Sequence, residues 1–220
     1  AIAVFAFSTT VGYHGHFEFN INCNGSAQVI KTDFSYSFDT ATYYYHCNKT
    51  VGKDHVPLGY TSESEYFVFV GVTCFLYVVV VSLYYIFFDN QVRDAASTDI
   101  GVCNFVIVDF IVTVVYVIFW FTCSIAWAAG LDGLKDQTST NIAASKYRMC
   151  KAYGANCTPG MEATYGSLNV SVLLGFLNFL IWCFNIWFLF KETPWHSPRG
   201  AVPPTGDTDA IKQETPPSAI

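Results

Sequence analysis

The sequence predicts an all-α membrane protein, a four-helix transmembrane bundle with two disulfide-containing luminal loops, the first of them partly β. Three observations predict it. Val170 to Phe190 runs for about 21 residues without a charge, which at 1.5 Å per residue spans roughly 30 Å, the thickness of a bilayer's hydrocarbon core. A chain of 220 residues that is 52% hydrophobic, 18% aromatic and only 13% charged is too apolar for a soluble domain of this size. The two polar stretches between apolar runs each hold a cysteine pair and an N-x-S/T acceptor, which matter together only in an oxidising, secretory compartment.

Taken in order, residues 1–13 open on an apolar run of about 12 residues, short of the roughly 20 a crossing needs. With no basic n-region before it and no small-residue cleavage site after it, the run reads as the luminal half of a first span that begins before Ala1. Residues 14–64 form the first luminal loop. Phe17, Phe19 and Ile21 alternate with polar residues there, as do Phe34, Tyr36 and Phe38, so strands are expected. The loop contains Cys23 and Cys47, each followed at once by an acceptor, Asn24-Gly25-Ser26 and Asn48-Lys49-Thr50. A second span covers 66–88, a cytosolic loop 89–100, and a third span 102–129. The second luminal loop, 130–167, holds Cys150, Cys157 and the acceptor Asn156-Cys157-Thr158. The fourth span is 170–190, stopped by Lys191, Glu192 and Pro194. Asn169, whose NVS triplet lies at the bilayer edge, is expected to cap that helix. The tail 193–220, with six prolines, reads as disordered.

Four luminal cysteines allow three connectivities, and proximity favours Cys23 with Cys47 and Cys150 with Cys157. Cys74, Cys103, Cys123 and Cys183 fall within spans and read as small apolar packing residues, with Cys103 near enough to the cytosolic edge for palmitoylation. The distribution of Lys and Arg, about four on the cytosolic side and about seven outside, runs against the usual bias, so orientation rests on the cysteines and acceptors.

Polar residues inside the spans fall on helical stripes. Gly175, Asn178, Trp182 and Asn185 share one face of the fourth helix, and Asp109, Thr113, Tyr116, Trp120, Ser124 and Trp127 share one face of the third. In lipid such faces turn inward, where small residues allow close approach and amides or hydroxyls bond across helices. Asp109 is weighed separately, because an ionisable group in a span is a functional candidate by default. With no Lys, Arg or His in any span to pair with it, it reads as a protonated or water-bonded structural acid, with a proton relay as the alternative.

Other chemistry is excluded or weak. The net charge of −6 and the lack of a basic cluster set nucleic acid aside. His14-x-His16 offers two metal ligands without a third and reads as interfacial. No P-loop, GxSxG, HExxH or paired-carboxylate motif is present, so no enzyme, cofactor or metal site is expected.

The chain resembles the synaptophysin family, four-span MARVEL-domain vesicle proteins. The resemblance is carried by Val4-Phe5-Ala6-Phe7, the NKT acceptor at Asn48, Ser64-Glu65-Tyr66-Phe67-Val68, Asp109-Phe110, Ala126-Trp127-Ala128 and Gly130-Leu131. In the fourth span it rests on Leu168-Asn169-Val170-Ser171-Val172, Gly175-Phe176-Leu177-Asn178, Asn185-Ile186-Trp187-Phe188 and Phe190-Lys191-Glu192-Thr193. It implies a MARVEL-like domain over 1–192, cytosolic termini, one disulfide in each luminal loop and glycosylation at Asn48. It also implies cholesterol association, homo-oligomers, binding of the vesicle SNARE synaptobrevin, and a part in vesicle formation, exocytosis and recycling. The short, Pro-rich tail without tyrosine departs from the family's neuronal members. The expected function is a non-enzymatic organiser of vesicle membrane; a small channel or transporter, and a claudin- or connexin-like junction protein, are the rivals.

Overall fold

The computed structural model describes residues 1–23, 25–47, 50–95, 100–141, 147, 150 and 156–192. Asn24, Asn48, part of the 89–100 connection, the 193–220 tail, and the side chains of Cys47, Cys103 and Asn156 lie outside what is described. The elements run α1 (Ile2–Val11), β1 (His14–Cys23), β2 (Ser26–Ser35), β3 (Thr40–Cys47), β4 (Thr50–Pro57), α2 (Thr61–Ala95), α3 (Ile100–Thr138), β5 (Asn156–Pro159) and α4 (Gly166–Glu192). Segments Thr61–Tyr84, Ile107–Thr138 and Gly166–Lys191 are long and apolar enough to cross a membrane, and α1 is a shorter apolar helix.

The strands form one antiparallel sheet in the order β4-β3-β2-β1-β5. Period-two alternation dictates its two faces. Along β1, Phe17, Phe19 and Ile21 are buried while His14 and His16 are exposed, and Ile30, Phe34 and Tyr43 of β2 and β3 complete the inner face. Tyr147 covers that face, stacking on Phe19 at 4.8 Å and meeting Tyr43 edge-on at 5.0 Å. The Cys150–Cys157 disulfide closes the segment that leads into β5, and Cys23 is also disulfide-bonded.

Two expectations need correction, and the helices extend beyond the expected spans. The protein is not an all-α bundle with one partly β loop, because it carries a five-stranded sheet and the second loop supplies the edge strand β5. Four residues are too few to show an alternating pattern, so β5 exists by virtue of its pairing with β1. The helices also outrun their uncharged cores: α2 starts at Thr61 and α3 continues to Thr138. Hydrocarbon thickness limits the apolar run and not the helix, and the extra turns of α3 bury Leu131, Leu134 and Thr138. Finally, Asn169 does not cap α4. The helix begins at Gly166, the Asn169 amide already donates to the Tyr165 carbonyl at 2.9 Å, and its side-chain oxygen accepts from Lys135 at 2.7 Å.

Sheet and helices meet at Phe38. Its backbone sits in the left-handed region, φ 59°, sparsely populated for a bulky residue, with its N–H donating to the Ser35 carbonyl and its carbonyl accepting from Tyr60. The turn directs the fully buried ring at Trp127 of α3, 5.5 Å away. Nearby, Leu58 donates to the Asp39 carbonyl at 2.7 Å and Ser64 Oγ to the Ser37 carbonyl at 3.3 Å, tying the start of α2 to the same turn.

Phe38→Ala is expected to cost about 3–5 kcal/mol, the range for a buried Phe. Phe38→Gly is expected to cost no more than Ala, because glycine accepts positive φ without strain; elsewhere Gly adds about 0.5–1 kcal/mol. Thermal melts of the two variants in detergent check the order. A second test uses pH. Burial, reinforced by the neighbouring Tyr43 hydroxyl, pushes the Tyr147 phenol well above its ordinary value, and burial also raises Tyr165. Each raised phenol contributes stability that is fully present below the unfolded value of about 10 and is lost as pH rises above it. Tyrosinate absorbance and near-UV circular dichroism should therefore change together in a cooperative step above about pH 10. Tyrosines titrating one by one with the dichroism intact would contradict this.

Candidate membrane-embedded site

No water competes for hydrogen bonds in a hydrocarbon layer, so each polar group in a span must find a protein partner or sit where something else supplies one. The bundle solves this differently in its two halves.

In the half next to the sheet, aromatic rings fill the space between helices. Phe67 of α2 lies 6.2 Å from Trp127 and 5.9 Å from Trp120 of α3, and all three are fully buried. The indole N–H of Trp127 donates to Ser171 Oγ of α4 at 2.9 Å, and that hydroxyl donates to the Leu168 carbonyl. Trp120 Nε1 donates to Cys74 Sγ of α2 at 3.4 Å, and Tyr66 and Thr122 share a bond of 2.9 Å between α2 and α3. Glycine permits this closeness. A Cβ on Gly175 would lie 2.6 Å from Ser124 Oγ and 2.8 Å from the Phe67 ring, and one on Gly71 would lie 2.9 Å from Phe7 of α1.

The other half is polar. Asp109 is buried, 8% exposed, and Tyr77 of α2 donates its hydroxyl to Asp109 Oδ1. Beside that contact the Tyr77, Tyr116 and Trp182 rings pack in tilted pairs, 5.3 Å from Tyr116 to each neighbour and 6.4 Å from Tyr77 to Trp182. Thr113, one turn along α3, is 1% exposed, and its hydroxyl has no hydrogen-bond partner. Asp109, Thr113, Ser82, Trp182 and Asn185 line a cleft of about 340 Å3 between α2, α3 and α4. A neighbouring groove of about 620 Å3 beneath Ala1 shares Trp182 and Asn185 and adds Cys74 and Asn178.

The sequence-derived faces are thus placed residue by residue. Gly175, Asn178 and Trp182 are buried on α4 and Asp109, Thr113 and Trp120 on α3, with Tyr116 half-buried; Asn185 is exposed at the mouth of both clefts. Amides were expected to bridge helices, yet Asn178 Nδ2 donates to the Leu174 carbonyl of its own helix at 2.8 Å. The bridges come from aromatic donors instead. Tyr77, the partner of Asp109, was missed because a counter-charge was sought. The usable signal was that a phenol within a span must find an acceptor. His14 and His16 stand exposed on the outer face of the sheet, and among the described residues no three His, Cys, Asp or Glu gather into a metal site.

A family model matches the chain over residues 1–188, nearly all of the described structure; it is that of MARVEL, a membrane-associating domain.

Gly175→Ala is expected to destabilise the bundle by about 1–3 kcal/mol through overpacking against Ser124 and Phe67. Asn185→Ala, at an exposed position, is expected to stay within about 0.5 kcal/mol. Tryptophan-detected melting in detergent compares them, and equal melting temperatures would show that the α4 stripe does not pack as described.

Proposed function

The chain belongs to the MARVEL family of membrane-associating domains, and from that premise we propose that it is a multi-pass organiser of secretory- or synaptic-vesicle membrane, acting by lateral binding and not by catalysis. In this reading the sheet and its cysteines face the lumen, both termini face the cytosol, and Asn24, Asn48 and Asn156 are available to the glycosylating enzyme. Sterol, neighbouring copies of the chain and a synaptobrevin-type SNARE helix bind along the outer faces of the spans. The resemblance to the synaptophysin family supports the vesicle assignment and these partners. The disulfide in the sheet-bearing head supports an oxidising compartment on that side.

The observation that carries the non-conducting reading is the ring packing of Phe67, Trp120 and Trp127, all without exposed surface, across the bundle. A water path through one copy would have to cross it. Outward, the helices present large apolar side chains, among them Leu76 and Val80 of α2, Ile111 and Ile118 of α3, and Leu173 and Phe184 of α4, as lipid or a neighbouring helix requires. One observation favours the rival channel: Asp109, Thr113 and Asn185 share a polar cleft.

The tagged full chain is expected on vesicles, to co-purify with synaptobrevin in mild detergent, and to carry no ion flux when reconstituted. Delivery to cell contacts would move it to the junction class, and a current abolished by Asp109→Asn would move it to the channels. N-glycanase should shift the wild type on gels, with single Asn→Gln changes at Asn24, Asn48 and Asn156 reporting which sites are used. A chain that never shifts would remove the luminal assignment of the head.

A further inference from the structure

The polar cleft has two features that internal packing does not explain. The first is the Thr113 hydroxyl. Thr9, Thr10, Thr73, Thr122 and Thr138, all within helices, each donate back to the carbonyl four residues earlier, at 2.6–3.2 Å. Thr113 is buried just as deeply as Thr10 and Thr138 and has no partner at all, although the helical carbonyl stands in the same place relative to it. A back-bonded hydroxyl satisfies itself, whereas this one is left with unmet hydrogen-bonding capacity beside the cleft it lines.

The second is the buried Asp109 carboxyl. It accepts a hydrogen bond from the Tyr77 phenol, and among the described residues that line the cleft there is no Lys, Arg or His. A carboxylate away from water needs opposite charge, or several donors, to offset its desolvation. The walls next to it are the Trp182 ring, whose π face attracts cations, and the apolar side chains of Val78, Val81 and Phe188.

Depth narrows the occupant. Asp109 is 18 residues from Trp127, about 27 Å along α3, and Asn185 is six residues from Lys191, about 9 Å along α4. With the Trp127 end of the bundle at one boundary of the hydrocarbon layer, the cleft lies close to the other boundary, where lipid headgroups begin.

We propose that this cleft is a headgroup site for a membrane lipid carrying a primary ammonium, of the ethanolamine type, in the leaflet away from the sheet. The ammonium sits against Asp109 and the face of Trp182 and donates one of its three hydrogens to Thr113 Oγ1, while an acyl chain follows Val78, Val81 and Phe188. A sterol hydroxyl supplies a single donor and no charge. A choline headgroup supplies charge without an N–H donor. Only the primary ammonium answers both features. The site requires insertion in a membrane and does not depend on the vesicle role proposed above.

The test uses the purified full chain in mixed micelles titrated with dioleoylphosphatidylethanolamine, dioleoylphosphatidylcholine or cholesterol, read by native mass spectrometry of retained lipid and by Trp fluorescence. The wild type should retain the ethanolamine lipid about tenfold better than the choline lipid. In Asp109→Asn, close in shape and neutral, the ratio should fall to about twofold or less. Thr113→Val should lower ethanolamine retention without lowering the melting temperature of the lipid-free protein, and it decides the matter should Asp109→Asn fail to fold. Equal retention of the two phospholipids by the wild type overturns the proposal, as does a ratio unchanged in Thr113→Val. Cholesterol retention that falls in these variants while ethanolamine retention holds reassigns the cleft to a hydroxyl ligand and overturns it too. Localisation and synaptobrevin binding are independent of this readout, so failure here and failure of the vesicle role are told apart.

Discussion

The burial of one indole, that of Trp127, holds the two parts of this molecule together. Its ring is wedged between Phe38 of the head and Phe67 of α2, and its N–H is satisfied by Ser171 of α4. One side chain therefore joins the sheet and three helices, and all of its neighbours depend on the indole being dry and its single donor being paired. A buried indole without an acceptor would cost about 1–3 kcal/mol, so the small residue at Ser171 is as necessary as the large one it faces. Phe38 reaches this position only through a turn with positive φ. The strain is held in place by the Tyr60, Leu58 and Ser64 hydrogen bonds around it.

The same dryness explains how the head depends on both loops. β1 joins the two loops because it pairs with β2 on one side and β5 on the other, so the second loop completes a sheet that the first loop begins. Glu18 donates its amide to the Met161 carbonyl at 2.8 Å just past β5, and Tyr13 donates to the Thr164 carbonyl at 2.9 Å. These contacts cross about 150 residues of sequence. They draw the foot of α1 and the foot of α4 together beneath the sheet. Three described basic residues of the head are engaged locally as well: Lys31 pairs with Glu18 at 3.0 Å, Lys53 lies over Tyr44, and Lys135 reaches Asn169 and the Tyr165 ring.

What could be read from the sequence follows from the range of each signal. Long uncharged runs are local, and α2, α3 and α4 were legible from them. Alternation along β1 was legible as well, whereas the second alternating run, Phe34, Tyr36 and Phe38, meets only the end of β2 before it enters the turn. β3 and β4 carry runs such as Tyr43-Tyr44-Tyr45 and Gly52-Lys53-Asp54 that break the alternation, and β5 is only four residues long; their pairing is long-range. Helical stripes identified which positions turn inward at Gly175, Asn178, Trp182, Asp109 and Thr113. They did not identify partners, because a stripe gives a direction and not the residue that meets it. Hence Tyr77 and Ser171 emerged only with the fold, and Asn185 kept its place on the stripe while facing a cleft.

The two halves of the bundle follow from these partnerships. Where ring donors and neighbouring hydroxyls pair across helices, as Trp127 does with Ser171, the helices close on glycine and the interior is aromatic, with Ser124 Oγ the buried hydroxyl there that has no hydrogen-bond partner; where Asp109 and Thr113 line the space between α2, α3 and α4, a cleft remains. Closing that end would leave a carboxylate with only a phenol for company, which apolar packing does not compensate. Replacing both Asp109 and Thr113 by apolar residues of like volume would remove the conflict, and a bundle built for rigidity alone would be better served by that choice. Their presence points to a fold that keeps one half of its span rigid, as a foundation for the head, and leaves the other open to the membrane around it.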